Sequence, residues 1–140
     1  MAAMDEITSY LADVEAALIS SPAIADFEVV RSWANTDDGY IRVQATLANG
    51  DFLEASEYFA FQGGYLVTVD YRYQWMDPEQ TRLRRRWDST PHHPELENFP
   101  HHVHEGDEEN VIPGRAMSLI QLLALLETEL SPELHELPEG

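Results

Sequence analysis

The chain has 140 residues, with 26 acidic side chains against eight basic ones and a net charge of −18 at pH 7. Every basic residue is an arginine and cysteine is absent, which excludes disulfides and thiolate metal sites. That length suits one domain with its own core, and that charge excludes broad nonspecific affinity for nucleic-acid phosphates at long range.

No apolar run reaches the about 18 residues that suggest a membrane span. The N-terminal MAAMDEITSY is acidic where a secretory leader is basic, so a cytoplasmic location is expected. Acid richness without lysine has two readings of equal weight. It favours a basic partner, and it also matches adaptation to high salt, as in a halophile, where screening removes the mutual repulsion of carboxylates.

In chain order, Ile7, Leu11, Val14 and Leu18 form one apolar stripe, with Asp5, Glu6, Asp13 and Glu15 among the polar positions; this predicts an amphipathic helix stopped by Ser20, Ser21 and Pro22. The period then changes to two. Residues 26–33, 40–47, 51–61, 65–76 and 81–88 read as five strands separated by NTDDG, ANG, QGG and DPEQ. Connections this short leave no room for crossover helices, so the sheet is predicted to be an antiparallel meander. Ile41, Val43, Ala45 and Leu47 share one side of the second strand, and the helices are predicted to pack there. Tyr65, Val67, Val69, Tyr71, Tyr73 and Trp75 share a side of the fourth, with Thr68 among the residues opposite. In the fifth, Arg82, Arg84, Arg86 and Asp88 share a face, and Arg86 stands closest to the segment that follows.

That segment, 81–104, carries five of the six histidines: His92, His93, His101, His102 and His104. Its prolines cannot continue a sheet, which predicts a histidine-bearing loop beyond the last strand, a usual place for functional groups. The EGDEEN run is predicted to be a solvated acidic loop without chemistry. A second helix is predicted from Ser118, where Gln121 completes a capping box ahead of Leu119, Leu122, Leu123, Leu126 and Leu130. The fold class is therefore α+β: a single five-stranded antiparallel meander flanked by an N-terminal and a C-terminal helix, with residues 1–131 as one domain and 132–140 as a flexible acidic tail in which His135 is inert.

The runs YRYQW (Tyr71 to Trp75), RWDSTPHH (Arg86 to His93) and FPHHVH (Phe99 to His104) resemble the TumE-like toxins of prokaryotic toxin–antitoxin pairs. Gln74, Ser89 and Val103 depart from that pattern, which has histidine, asparagine and lysine there. The resemblance implies a type II toxin paired with a protein antitoxin, expected to be DNA-binding, and an endoribonuclease activity on RNA.

The residue types suit that chemistry. Histidine exchanges protons near neutrality and arginine matches phosphate geometry. Arg86, Asp88, His93, His101 and His104 are the candidate catalytic set, with Asp88 orienting an imidazole. Tyr73, Trp75 and Arg84 are the candidate substrate-binding set, the two rings stacking a base. No cofactor is required in this reading. The competing reading is a metal-binding domain or metal-dependent hydrolase, with Asp88, His92 and His102 holding zinc or manganese; His102 and His104 project to one side if that stretch is extended, and can share such a site with Asp88 or His93. A third is an acidic interaction module without catalysis. No membrane partner is expected, and a homodimer is compatible with each reading.

Overall fold

The computed structural model describes residues 2–90, 95 and 97–130. The elements follow the order α1 (Ala2–Ser20), β1 (Ile24–Ala34), β2 (Asp38–Leu47), β3 (Phe52–Gln62), β4 (Tyr65–Met76), β5 (Leu83–Asp88), β6 (His102–Glu105), β7 (Val111–Pro113) and α2 (Leu119–Leu130). Among the described residues the fold is α+β with two helices and one antiparallel meander of seven strands, every strand pairing with its chain neighbours.

The sheet has seven strands, where the sequence predicts five. The reason is local. The proline-rich stretch does interrupt the sheet after Asp88, but the chain re-enters at His102 for four residues and turns back at Val111 for three. Segments that short show little periodicity. The C-terminal boundary expected at 131, the tail 132–140 with His135, and the histidines His92 and His93 lie outside the described residues.

Both helices cover the face that carries Ile41, Val43, Ala45 and Leu47. Ile7, Val14 and Leu18 of α1 and Leu119, Leu122, Leu123 and Leu126 of α2 join those residues in one buried core with Leu53, Ala55, Phe59, Tyr73 and Trp87. The opposite face has no helix among the described residues. Gly39 shows how tightly α1 is seated, because a Cβ there would lie 2.6 Å from the Phe59 ring and 3.0 Å from Ile7.

Bulges break the predicted alternation in β1, β4 and β5. Tyr58 pairs with Asp70 and Phe59 with Thr68, so Val69 is the extra residue and Thr68 lands on the helix-covered face. There its hydroxyl donates to buried Glu57 at 2.6 Å. Glu57 also accepts from the Tyr10 hydroxyl of α1 at 2.8 Å and from the Leu119 amide that starts α2 at 3.3 Å. One carboxyl group therefore ties both helices to the sheet, and no spacing rule singles it out. The capping box at α2 forms as predicted: Gln121 donates its amide to Ser118 Oγ (3.1 Å) and Ser118 donates its amide to Gln121 Oε1 (2.8 Å).

Candidate active site

Ladder register builds the site. Arg86 pairs with His104, Trp87 with Val103 and Asp88 with His102 across β5 and β6. Alternation then sends Arg86, Asp88, His102 and His104 to the open face, while Trp87 and Val103 enter the core. All four polar residues are buried, Asp88 at 2% exposure.

Asp88 is the hub. Its Oδ1 lies 2.7 Å from His102 Nε2 and accepts the Thr90 amide at 3.1 Å; its Oδ2 accepts from Arg86 Nε at 3.1 Å and lies 3.6 Å from His104 Nε2. On the far side of each imidazole is a backbone carbonyl: Pro100 O lies 2.9 Å from His102 Nδ1 and Glu108 O lies 2.8 Å from His104 Nδ1. A carbonyl only accepts, so both Nδ1 atoms carry protons and both Nε2 atoms are turned toward Asp88. His104 Nε2 also lies 3.2 Å from Arg86 Nη2, a donor, so it serves as an acceptor. Desolvation is the largest influence on His104 and pushes its pKa below the ordinary value; Arg86 acts in the same direction, and the Glu108 carbonyl opposes them.

The remaining guanidinium edge grips Glu108 in the loop between β6 and β7, with Nη1 at 2.5 Å from Oε1 and Nη2 at 2.7 Å from Oε2. Hydrogen bonding to Arg86 holds the Glu108 carboxyl below the usual range. Its side chain is 61% exposed, so Glu108 forms the outer wall of the site. The acidic run expected to be inert thus supplies a counter-ion for Arg86. Its signal in the sequence is only its position, four residues after His104.

The predicted sets come together in part. Arg86, Asp88 and His104 converge. His102, placed in the sequence only as a metal ligand, joins them at the centre. His101 does not: its ring stacks on Tyr71 of the helix-covered face (5.7 Å, 9°), with Nδ1 2.9 Å from the Tyr71 hydroxyl. Of the five histidines expected on a loop, His102 and His104 stand on β6, and alternation along an extended chain is what separates them from His101. Tyr73 and Trp75 face the helices too. Tyr73 is fully buried and donates to Met117 O at 2.8 Å, so its ring offers no open side to a base. Trp75 donates Nε1 to Asp51 at 2.8 Å, and Arg84, the bulged residue of β5, meets the same carboxylate at 3.4 Å. This group lies beyond Arg86 along β5, away from Asp88.

One carboxylate oxygen of Asp88 and one ring nitrogen each of His102 and His104 lie within 4.8 Å of one another, a donor set able to hold a divalent cation. The carbonyl bonds at both Nδ1 atoms are the supports that metal-bound histidines usually have.

Residues 14–134 match the protein family described as Toxin TumE. The chain belongs to the TumE toxin family. Membership supports a toxin component and implies an antitoxin partner. No curated protein and no solved structure matches the chain. No helix among the described residues is long and apolar enough to cross a membrane. Within this TumE family member, the strand residues among those that carried the resemblance fall on both faces of the sheet, and those of β5 and β6 that point to its open side build the site.

Proposed function

We propose that this toxin is an endoribonuclease whose site is Arg86, Asp88, His102 and His104. The observation that carries the reading is the bidentate Arg86–Glu108 contact beside two imidazoles. A guanidinium fork that grips a carboxylate in this way also fits a phosphodiester, so Glu108 occupies the place of a phosphate. When Glu108 swings away, the scissile phosphate docks on Arg86. His104 Nε2 takes the proton of the 2′-hydroxyl, whose oxygen attacks phosphorus. The bond from phosphorus to the 5′-oxygen breaks, and His102 Nε2, which faces Asp88 Oδ1 while the Pro100 carbonyl holds Nδ1 from behind, protonates the departing oxygen. The products are a 2′,3′-cyclic phosphate and a 5′-hydroxyl. Arg86 neutralises charge that develops on the phosphorane.

The experiment is incubation of purified protein with RNA in the presence of a chelator, comparing wild type with His102→Ala and His104→Ala. General acid–base roles predict losses of about 10²–10⁴-fold in rate for each variant. Absence of cleavage by the wild type, with and without divalent metal, would remove the reading.

The shared orientation of the two Nε2 atoms toward Asp88 supports a second reading, in which zinc or manganese sits among Asp88, His102 and His104 with Arg86 displaced. Such an ion would act as Lewis acid on the phosphate. Cleavage only after metal is restored to chelator-treated protein would select it.

A further inference from the structure

The open face carries a second ordered arrangement. Followed from the β1 edge, the ladder registers set Arg31 opposite Arg42, Arg42 opposite Ser56, Ser56 opposite Arg72, Arg72 opposite Asp88 and Asp88 opposite His102. Three of the eight arginines therefore lie in one row that runs across the strands and ends at the candidate site. With neighbouring strands about 4.8 Å apart, the row from Arg31 to Asp88 is about 19 Å long.

An aromatic row runs beside it, two residues along each strand. Trp33 opposes Tyr40 and Tyr40 opposes Tyr58. Trp33 and Tyr40 stack at 5.9 Å and 19°, and Trp33 meets Tyr58 at 6.1 Å. All three rings are partly exposed. Within the arginine row the small side chain of Ser56 leaves a hollow beside Tyr40. One depression there is lined by Tyr40, Arg42, Glu54, Ser56 and Arg72. A second shares Tyr40, Ser56 and Arg72 and reaches Ser89 and Thr90, beside Asp88.

Arg42 has a structural partner in Glu54, but folding gives no reason to set Arg31 opposite it. Like charges directly opposite on one sheet face are destabilising, and Arg31 faces Arg42 in a chain with more than three acids for each arginine. Arg31 and Arg72 are exposed. Regularly spaced cations beside stackable rings are the parts of a groove that follows a single-stranded nucleic acid.

Building on the ribonuclease reading, we propose that this face is the substrate track: bases of a single-stranded RNA stack on Trp33, Tyr40 and Tyr58, its phosphates meet Arg31, Arg42 and Arg72, and the strand is delivered to Asp88 and His102. At Arg42 the phosphate displaces Glu54, which now sits 2.9 Å away. Asp70 and Asp38 border the track, Asp38 accepting the Tyr58 hydroxyl at 2.7 Å. Binding is therefore weak and strongly dependent on salt.

The test is fluorescence anisotropy with a labelled oligodeoxyuridylate, which lacks the 2′-hydroxyl and cannot be cleaved by the proposed route, followed by oligouridylate for KM. Three phosphate contacts predict that log K falls with log salt at a slope of about −2. Arg31→Ala and Arg72→Ala each lower that slope by about 0.7 and weaken binding, while Arg31→Lys retains most of it. Trp33→Ala weakens binding about tenfold or more. Undetectable binding of both oligonucleotides, or unchanged affinity in both arginine-to-alanine variants, overturns the proposal. So does loss of antitoxin affinity in Arg31→Ala with oligonucleotide affinity intact, which would make the face a protein interface. RNA cleavage with KM unchanged in Arg31→Ala would remove the track and keep the ribonuclease; binding with the predicted slope and no cleavage would keep the track and remove the ribonuclease.

Discussion

Asp88 and His102 are Cα partners across the β5–β6 ladder, and 2.7 Å separates Asp88 Oδ1 from His102 Nε2. The contact links the two halves of the site: Asp88 lies on the longer sheet inherited from the meander, His102 on the short strand that returns after the proline-rich stretch. Asp88→Ala leaves Arg86 and His102 buried without their shared acceptor, and breaking a buried ionic contact in this way costs roughly 3–5 kcal/mol. Denaturant unfolding should report that loss. Asp88→Asn keeps the shape, so it should lose less stability and still lose activity in a growth-inhibition assay.

Glu108 and the incoming phosphate compete for one guanidinium. Glu108→Gln retains the hydrogen-bonding shape and removes the charge, so Arg86 is released more easily. Initial-rate measurements on RNA should show a lower KM, whereas Arg86→Lys, which loses the planar fork, should raise it. A rise in KM for Glu108→Gln would contradict the role of Glu108 as a stand-in for phosphate.

His101 and His102 are adjacent in sequence and separate in function. His101→Ala removes stacking on Tyr71 and a hydrogen bond, a stability change of about 1 kcal/mol, and should leave RNA cleavage near the wild-type level. His102→Ala should abolish it. Equal loss in both variants would return His101 to the catalytic set.

Glu57 provides a pH test remote from the site. Burial raises its carboxyl above the ordinary 4.5, and the bonds from Thr68, Tyr10 and the Leu119 amide oppose that shift. An acid whose folded pKa is raised contributes stability that is present below the unfolded value and is lost as pH rises through the folded one. Thermal melts of wild type and Glu57→Gln from pH 4.5 upward should therefore show the wild type losing ground to the variant as pH rises. Glu57→Ala, which strands three donors, should cost roughly 2–4 kcal/mol in urea unfolding.

Chelator treatment followed by calorimetric titration with zinc and with manganese checks the second reading. If a cation binds among Asp88, His102 and His104, His104→Ala should lower its affinity at least tenfold and Glu108→Gln should raise it by freeing Arg86 to leave. Identical titrations for wild type and His104→Ala would exclude that cation site.

The parts of the fold that depend on repeated local pattern were legible in the sequence. The stripe from Ile7 to Leu18, the alternation from Ile41 to Leu47 and the Ser118–Gln121 box determine helix, buried face and helix start, because each is a periodic or reciprocal signal carried by neighbouring residues. The short connections determined the antiparallel meander. The motif around Arg86, Asp88 and the paired histidines was enough to place the chain with the TumE toxins. What only tertiary structure decided is which of those residues meet. β6 is four residues long, too short to announce itself, yet its register carries His102 and His104 to Asp88 and leaves His101 on the other side. A bulge moved Thr68 to Glu57, and a turn brought Glu108 back to Arg86. The bulge is a one-residue shift in a pattern of period two, which reverses the face a side chain occupies and leaves no trace in composition or spacing.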